Sequence, residues 1–410
     1  MKLIRAICRF AFGILFVLSG FLKAVDPVGT SLKFKEYFGA LHLDFLDFLS
    51  IPCGILLTSA EFLVGVAILK GLRIQLFSKI ALGFISFFTL LTLWIAIANP
   101  VSDCGCFGEA LHLSNRDTFI KNLFLLGAAL VVFFQRYRFC PIAKPKVEWG
   151  YLALYGALIL SLQVYTLRNI PQIDFGLYKP GTDLVATQQS IQERVYETVL
   201  VYSKDGKEEN FTLDNLPDST WTFVDAQNRL VSGAKEDASV DFSFIDAQGN
   251  PIGNVVLEAE DPVFLVSVYN AAGLDSSRVG EIFALADTLR TKDVDLYIVS
   301  SNSAEQTEEL FAGLEILYSD YKAVISLNRS NGGLTYINDG IVVKKWGNRN
   351  YPIRQTGKIL AEDPEVITAT TQIDERLFAE ISLFVILFLI VIIRFFSKII
   401  YNGRKSAATS

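Results

Sequence analysis

Long apolar runs separated by short polar stretches occupy residues 4–167 of the chain, and one further run lies near its end. A helix crosses a bilayer with about 20 apolar residues, because each residue adds about 1.5 Å. Six runs have this character: residues 4–22, 51–69, 76–98, 119–134, 149–167 and 377–396. The fourth is the shortest, and Ser114 with Asp117 before it forms a capping-box-like start. The pattern predicts a mainly α-helical membrane protein with six spans, the first four forming a four-helix bundle.

Between the fifth and sixth runs the chain is polar and acidic, which predicts a domain outside the membrane. Its first part predicts strands at residues 198–202, 210–213 and 221–224, with turns such as Asp205-Gly206. The pattern then predicts a strand at 262–268, a helix at 276–289, a strand at 294–299, a helix at 304–314, a strand at 323–327 and a hairpin at 334–337 and 341–346. This order resembles the thioredoxin fold. The position of that fold's redox pair reads Asn270-Ala271-Ala272-Gly273, so the predicted α/β domain has no redox cysteine.

Basic residues predict the orientation, because Lys and Arg are in excess on the cytoplasmic side of a membrane. Four basic clusters share one side if both termini are cytoplasmic, and the polar domain is then extracytoplasmic. Only the first outer loop, with Lys23, Lys33 and Lys35, runs against this trend. The predicted units are a four-helix bundle at 1–146, a fifth helix at 147–168, the outer domain at 169–376, a sixth helix at 377–398 and a cytoplasmic tail at 399–410.

Composition supports a chain in contact with a lipid bilayer rather than with nucleic acid. Hydrophobic residues make up 51% of the sequence, and most of them lie in the six runs. The formal net charge is −6, and the polar domain is acidic. A protein that binds nucleic acid presents a basic surface, so such a partner is not expected.

Two cysteines one residue apart dominate the candidate chemistry. They lie in Asp103-Cys104-Gly105-Cys106-Phe107-Gly108, after the third run, on the predicted outer face where disulfides persist. A disulfide that closes so small a ring is strained and easily reduced, and the two glycines of the motif permit its turns. Cys53, at the outer end of the second run, is a candidate resolving thiol. Cys8 and Cys140 complete the five cysteines and fall on the cytoplasmic side.

Two other chemistries fit the same residues. The pair could belong to a fixed structural disulfide, as found in outer loops of membrane proteins. Cys104, Cys106, His112 and Cys53 also offer a donor set for zinc or copper, although one distant histidine makes the spacing loose. His112 could lower a thiol pKa when protonated, or it could be a histidine of a surface loop with no such role. Redox activity of Cys104 and Cys106 is the favoured interpretation.

Glu61 lies inside the second apolar run, where a charged side chain costs about 2.5 kcal/mol or more. It should therefore face the interior of the bundle. It could accept protons released by the thiols or bind a quinone carbonyl, or it could form a structural pair with Lys23, and the sequence leaves both interpretations open. Lys23 and Asp26 lie at the predicted membrane interface. There Lys23 could be an ordinary snorkelling lysine, and Asp26 an ordinary aspartate of a turn.

Three segments together resemble a known family. They are Ser19-Gly20-Phe21-Leu22-Lys23-Ala24-Val25-Asp26-Pro27, Glu61 in the second run, and the motif at residues 103–108, whose Asp103, Gly105, Phe107 and Gly108 accompany the cysteines. Residues 1–140 resemble DoxX-like membrane proteins, in particular the branch of the methylamine-utilisation protein MauE. The outer domain and last two spans resemble an extension found in a subgroup of that family.

The resemblance implies a protein of the bacterial cytoplasmic (inner) membrane with an extracytoplasmic, quinone-linked redox role. Under this hypothesis Cys104 and Cys106 cycle between dithiol and disulfide, with Cys53 as resolving thiol. They pass electrons between a protein partner, docked on the thioredoxin-like domain, and a membrane quinone. Because many family members have no assigned activity, the alternative is a non-enzymatic scaffold or assembly factor whose cysteines form a structural disulfide.

Overall fold

The computed structural model describes residues 2–101, 103–139, 141–192, 195–204, 207–212, 221–232, 244–250, 252, 256, 259 and 261–407. Cys140, the turn predicted at Asp205-Gly206, and the last residue of the strand predicted at 210–213 lie outside these ranges.

Helices account for the first part of the chain. They are α1 (Lys2–Val25), α2 (Pro27–Ala40), α3 (Ser50–Lys70), α4 (Ile74–Ala98), α5 (Asn115–Phe134) and α6 (Pro145–Arg168), with a 3-10 turn at Asp44–Leu49. Among the described residues, five segments are long and apolar enough to cross a membrane: Leu3–Val25, Asp44–Lys70, Ile74–Ala98, Asn115–Phe134 and Pro145–Arg168. They correspond to the first five predicted spans. The sixth, at 377–396, lies within a longer helix, Pro364–Ala407, and remains a prediction as a span.

The predicted start of the fourth span is confirmed. Ser114 is the N-cap of α5, and its Oγ accepts a hydrogen bond from the Asp117 backbone N–H at 3.1 Å. The Ser114 hydroxyl in turn lies 2.6 Å from the Asp117 carboxylate. The Ser114 side chain thus satisfies one backbone donor, the Asp117 N–H, that a helix otherwise leaves unpaired at its first turn.

Glycines bring α1 and α3 into close contact. A Cβ at Gly20 would lie 2.8 Å from Phe62 Cβ, and a Cβ at Gly65 would lie 2.7 Å from the Val17 nitrogen. Only glycine permits such an approach of two backbones, a device that is common between membrane helices. The close contact sets the polar residues of α1 against Glu61 on α3.

A helix that the sequence analysis missed, α2, lies between the first two spans. Asp26 caps it, with Oδ1 accepting from the Gly29 N–H at 2.8 Å, and Pro27 occupies its first position. Both features are typical helix-start signals. The missed helix matters because it carries Lys33 and Tyr37, which border the cysteine motif.

The described residues after α6 form two sheets. Strands and helices follow in this order: α7 (Leu184–Gln192), β2 (Val195–Lys204), β3 (Lys207–Thr212), β4 (Thr222–Ser232), β5 (Val263–Val268), α8 (Ser276–Arg290), β6 (Asp295–Ser300), α9 (Ala304–Leu310), β7 (Glu315–Tyr318), α10 (Tyr321–Leu327), β8 (Gly333–Asn338), β9 (Ile341–Trp346), α11 (Thr356–Ala361) and α12 (Pro364–Ala407). The label β1 is kept for the short extended segment Cys106–Glu109.

The larger sheet has the order β7-β6-β5-β8-β9 and is mixed. The central strand β5 is parallel to β6 and antiparallel to β8, which forms the predicted hairpin with β9. All six residues of β5 are buried, as expected for a strand covered on both faces. The strands β3-β2-β4 form a separate antiparallel sheet. The assignment of the larger sheet to the thioredoxin fold remains a prediction.

One predicted helix of this domain is too long, and one predicted strand is wrong. The helix predicted at 304–314 begins at Ala304 but ends at Leu310, and the strand β7, which was not predicted, follows it. The strand predicted at 323–327 is the helix α10, because the Asp320 carboxylate accepts from the N–H groups of Lys322 at 2.7 Å and Ala323 at 3.0 Å. This N-cap starts a helix in a sequence whose β-branched residues favour a strand.

The domain after α6, which the sequence predicts to lie outside the membrane and which is called the outer domain here, rests directly on α2. Ile325 of α10 packs with Val28 and Leu32 of α2 in a small buried apolar cluster, and Tyr269 borders it. This contact places the outer domain next to the cysteine motif.

Candidate functional site

The two cysteines of the motif lie side by side in the loop between α4 and α5. Their Sγ atoms are 3.3 Å apart, and both are free thiols. Cys104 is buried and Cys106 is partly buried. Gly105 and Gly108 have φ angles of +63° and +62°, which glycine adopts without strain. The backbone turns expected from the two glycines are therefore present, and they bring the thiols together.

The two thiols differ in acidity. The hydrogen bond with Cys104 lowers the pKa of Cys106 to about 6, and the nearby Lys121 and Lys23 act in the same direction against the effect of burial. The same hydrogen bond, together with burial, raises the pKa of Cys104 well above its usual range. Because the thiolate is the nucleophile, Cys106 is the more reactive member of the pair near neutral pH.

The backbone of the motif is held by side chains from α1 and α2. Ser19 Oγ lies 2.5 Å from the Cys106 carbonyl oxygen, and the Tyr37 hydroxyl donates to the Cys104 carbonyl at 3.0 Å. Burial raises the pKa of Tyr37, so its hydroxyl remains a neutral donor. Both helices therefore fix the loop on which the thiols lie.

Lys23 and Glu61 form a buried ion pair inside the bundle. Lys23 Nζ lies 2.7 Å from Glu61 Oε2, and both side chains are less than a tenth exposed. Glu61 Oε1 lies 2.8 Å from Ser19 Oγ. Lys23 thus contacts Glu61, the partner that the sequence suggested. Through Ser19, the pair is connected to the Cys106 carbonyl.

Asp103 is paired on both of its oxygens. Lys33 Nζ lies 2.5 Å from Oδ1, and His112 Nδ1 lies 2.8 Å from Oδ2. Burial would raise the pKa of Asp103, but the hydrogen bond with His112 and the charge of Lys33 outweigh it and lower the value. Within the described ranges, no three His, Cys, Asp or Glu side chains gather as ligands for a metal ion. The zinc or copper alternative therefore finds no support in the geometry.

The thiol pair lines an apolar cavity of about 330 Å³ inside the bundle. Its polar lining includes Ser19, Lys23, Lys33, Glu61, Cys104, Cys106 and Lys121, and most of the rest is apolar, including Phe34, Phe38, Phe87, Phe88 and Leu91. Ligand pockets have this character, with a few polar groups in an apolar wall. Phe107 is buried and borders the cavity, with its ring centroid 4.6 Å from Lys121 Nζ.

Cys53 lies in the first turn of α3, partly buried, and is not among the residues that line this cavity. The structure therefore brings Cys104, Cys106, Lys23 and Glu61 together, and it leaves the proposed role of Cys53 as a prediction. Lys33, Tyr37 and Arg329 were missed by the sequence analysis.

Arg329 connects the outer domain to the motif. Its Nε donates to Asp26 Oδ2 at 3.1 Å, and its Nη2 donates to the Glu109 carboxylate at the end of β1. The Arg329 side chain is only 5% exposed. Asp26 is therefore more than a turn residue at the interface, because it caps α2 and binds the outer domain.

Comparison with known families supports the interpretation of the N-terminal part. Residues 1–135 match the family model of the methylamine utilisation protein MauE, and residues 196–233 match a domain of unknown function, DUF8463. No curated protein and no solved structure matches the chain. The first match covers α1 to α5 together with the cysteine motif, whereas the wider resemblance to DoxX-like proteins remains a prediction. The chain is thus a multi-pass membrane protein whose residues 1–135 are similar to MauE.

Proposed function

We propose that the protein oxidises thiols at the outer face of the bacterial cytoplasmic membrane and passes the electrons to a membrane quinone. The observation that carries this proposal is that the Cys104–Cys106 pair lines the same apolar cavity as the Lys23–Glu61 pair. A quinone has an apolar body and two polar carbonyl oxygens, and this cavity offers an apolar wall with a polar end. Its volume of about 330 Å³ is at the lower end of the range of small-molecule pockets.

The proposed cycle has two balanced half-reactions. In the first, two thiols of a partner give two electrons and two protons to the Cys104–Cys106 disulfide, and the partner leaves with a disulfide of its own. In the second, the Cys104 and Cys106 thiols give two electrons and two protons to the quinone, which leaves as a quinol. A disulfide has an S–S distance of about 2.05 Å, so thiols 3.3 Å apart need only a small movement to close it.

Cys106 is the proposed nucleophile, because its thiolate forms at the lower pH of the two. Cys104 keeps its proton and supplies the second sulfur. Cys53 stays a candidate resolving thiol, although a cycle between Cys104 and Cys106 balances without it.

Glu61 is the proposed carrier of a proton. Ser19 has one hydroxyl proton and two acceptor oxygens within reach, on Cys106 and on Glu61. If Ser19 donates to the Cys106 carbonyl, a hydrogen bond to Glu61 Oε1 needs a proton on that carboxyl group. A change in the protonation of Glu61 therefore changes how Ser19 holds the thiol-bearing loop.

The orientation and the outer domain complete the proposal. The basic clusters favour cytoplasmic termini, and with this proposed orientation the motif faces an oxidising compartment. The outer domain, thioredoxin-like in its predicted fold and without redox cysteines of its own, would position the protein partner next to the motif.

The proposal is tested by quinone reduction in lipid nanodiscs. The full chain is supplied with dithiothreitol and a short-chain ubiquinone, and quinol formation is followed by absorbance. Cys104→Ser and Cys106→Ser should abolish protein-dependent quinol formation, whereas Cys8→Ser, a cysteine outside the cavity, should leave it unchanged. Cys53→Ser decides whether that thiol takes part.

One observation favours a second function, that of a non-enzymatic scaffold. The outer domain is fixed to the bundle by Arg329, as expected of a rigid assembly platform. Absence of protein-dependent quinol formation in the wild-type chain would support the scaffold and contradict the redox role.

A further inference from the structure

A second cavity lies on the other side of the cysteine motif. It has a volume of about 560 Å³ and lies between α2, the end of the motif loop, the segment after α6 and α10 of the outer domain. The cavity in the bundle is mostly apolar, whereas much of the lining of this one is charged or titratable, including Lys33, Glu36, Asp103, His112, Lys179 and Lys322. Such a lining suits a water-soluble ligand, because burying charges against an apolar one would be costly.

Lys33 lines both cavities. Its Nζ lies 2.5 Å from Asp103 Oδ1 and 3.0 Å from Glu36 Oε2. The aliphatic part of the Lys33 side chain packs against Gly105, the residue between the two cysteines. A Cβ at Gly105 would come within 2.9 Å of Lys33 Cγ. Lys33 therefore lies between this second cavity, called the charged cleft below, and the thiol pair.

We infer that the charged cleft is the entrance for a water-soluble thiol substrate and that Lys33 is the gate between this substrate and the Cys104–Cys106 pair. This inference rests on the proposed function and deepens it, because it assigns the soluble substrate and the quinone to separate cavities. When Lys33 leaves Asp103, the Gly105 turn is uncovered from the aqueous side. The quinone can then remain in the bundle while the soluble thiol reacts.

The chemistry of the cleft defines the substrate. Lysines and carboxylates lie together in its wall, and His112 is held by Asp103. A thiol with both positive and negative groups near the sulfur fits such a lining. Two sources share this chemistry: a dithiol peptide segment of an extracytoplasmic protein, and a small thiol such as glutathione. In either case two thiols are oxidised to one disulfide as the Cys104–Cys106 disulfide is reduced.

The gate is tested by the accessibility of the reduced pair in the full chain. A sulfonated, membrane-impermeant thiosulfonate reports access from water, and N-ethylmaleimide reports access for a small uncharged reagent. Lys33→Ala should speed modification of Cys104 and Cys106 by the charged reagent by up to about fivefold, the factor that corresponds to losing an ion pair worth about 1 kcal/mol. Modification by N-ethylmaleimide should change much less.

Two further variants provide an intermediate case and a negative control. Asp103→Asn retains Lys33 but removes one of its two carboxylate partners, and it should give a smaller increase of the same sign. Lys35→Ala removes a neighbouring lysine of α2, whose Nζ lies 4.1 Å from the Tyr321 ring, and it should match the wild type. An unchanged rate in Lys33→Ala, or an equal increase for both reagents, would overturn the gate.

The source of the thiol is tested in the quinone assay. Reduced glutathione and a mixed-charge peptide with two cysteines are compared as electron donors, with dithiothreitol as reference. Faster turnover with either one than with dithiothreitol identifies the source and supports the cleft as its entrance, and no preference for either overturns that assignment. The labelling experiment needs no turnover. Its result can therefore contradict the gate while quinone reduction supports the redox function, and it can support the gate while quinone reduction is absent.

Discussion

Arg329 of the outer domain and Asp26 at the start of α2 form a buried ion pair at 3.1 Å, although 303 residues of chain separate them. The same guanidinium binds Glu109, three residues after Cys106. One side chain therefore connects the outer domain, the missed helix and the cysteine motif. Removing one partner of a buried ion pair is costly, because the other charges stay buried without compensation.

Arg329→Met should destabilise the attachment of the outer domain by about 3–5 kcal/mol, since Asp26 and Glu109 are left unpaired. Limited proteolysis and thermal unfolding of the purified protein measure this. Lys322→Ala is the matched control: Lys322 also pairs across the interface, with Glu36 at 2.9 Å, but its side chain is 57% exposed. An exposed pair contributes about 0–1 kcal/mol. Equal stability of the two variants would contradict the role given to Arg329.

Alkylation of the reduced protein should show a reactive thiol with a midpoint near pH 6, because the hydrogen bond with Cys104 lowers the pKa of Cys106 to that value. The rate should rise as the pH increases through 6 and then level off, as the thiolate replaces the thiol. In Cys104→Ala the hydrogen bond is lost, so the midpoint should move upwards towards the ordinary cysteine value of about 8.5. The rate of iodoacetamide modification from pH 4.5 to 9 measures both variants, and identical profiles would disprove the assigned cause.

Glu61→Gln should slow reoxidation of the thiol pair by quinone about a hundredfold, a typical loss when a general acid or base is removed. The amide keeps the shape of the side chain and can still bind Ser19, but it cannot take up a proton. Stopped-flow reoxidation of the reduced protein gives the rate. Ser19→Ala separates the two roles of this group, because it breaks the connection to Cys106 and leaves the Lys23–Glu61 pair in place. A wild-type rate in Glu61→Gln would leave Glu61 as a structural partner of Lys23.

Gly105→Ala should destabilise the motif loop by about 1–2 kcal/mol, the usual cost of a non-glycine residue in the left-handed region. The backbone at Gly105 has a φ of +63°, and the added Cβ would also press on Lys33. Gly83→Ala is the control within α4, where no heavy atom lies within 4 Å of the added Cβ. There alanine should be neutral or slightly stabilising. Thermal unfolding compares the two, and a Gly105→Ala protein as stable as Gly83→Ala would contradict this account of the turn.

The sequence predicted those features that depend on local patterns. Long apolar runs predict membrane helices because the bilayer sets the length of each span. The hairpin of β8 and β9 was identified from Asn338-Asp339-Gly340, and its two middle residues, Asp339 and Gly340, have positive φ angles. The spacing of Cys104 and Cys106 fixed their proximity, and the cost of a buried Glu61 suggested Lys23 as its partner.

Features that depend on distant segments were missed. No periodicity connects Arg329 with Asp26, because such a pair forms only when the outer domain folds onto α2. The helix α10 was read as a strand, since a seven-residue element depends on its Asp320 cap more than on intrinsic preference. In the sequence, Lys33 was noted only as a basic residue that runs against the orientation rule. Its contact with Gly105 could not be predicted, because that contact depends on the unexpected helix α2.

The most direct test of the central claim is a redox titration of Cys104 and Cys106 in nanodiscs, by differential thiol labelling across a graded series of redox buffers. The account predicts that both thiols titrate together as one two-electron couple, with a midpoint between those of thioredoxin and the strong thiol oxidants, about −270 to −120 mV. Thiols that never pair at any potential, or a disulfide that stays closed throughout, would contradict redox cycling at this site.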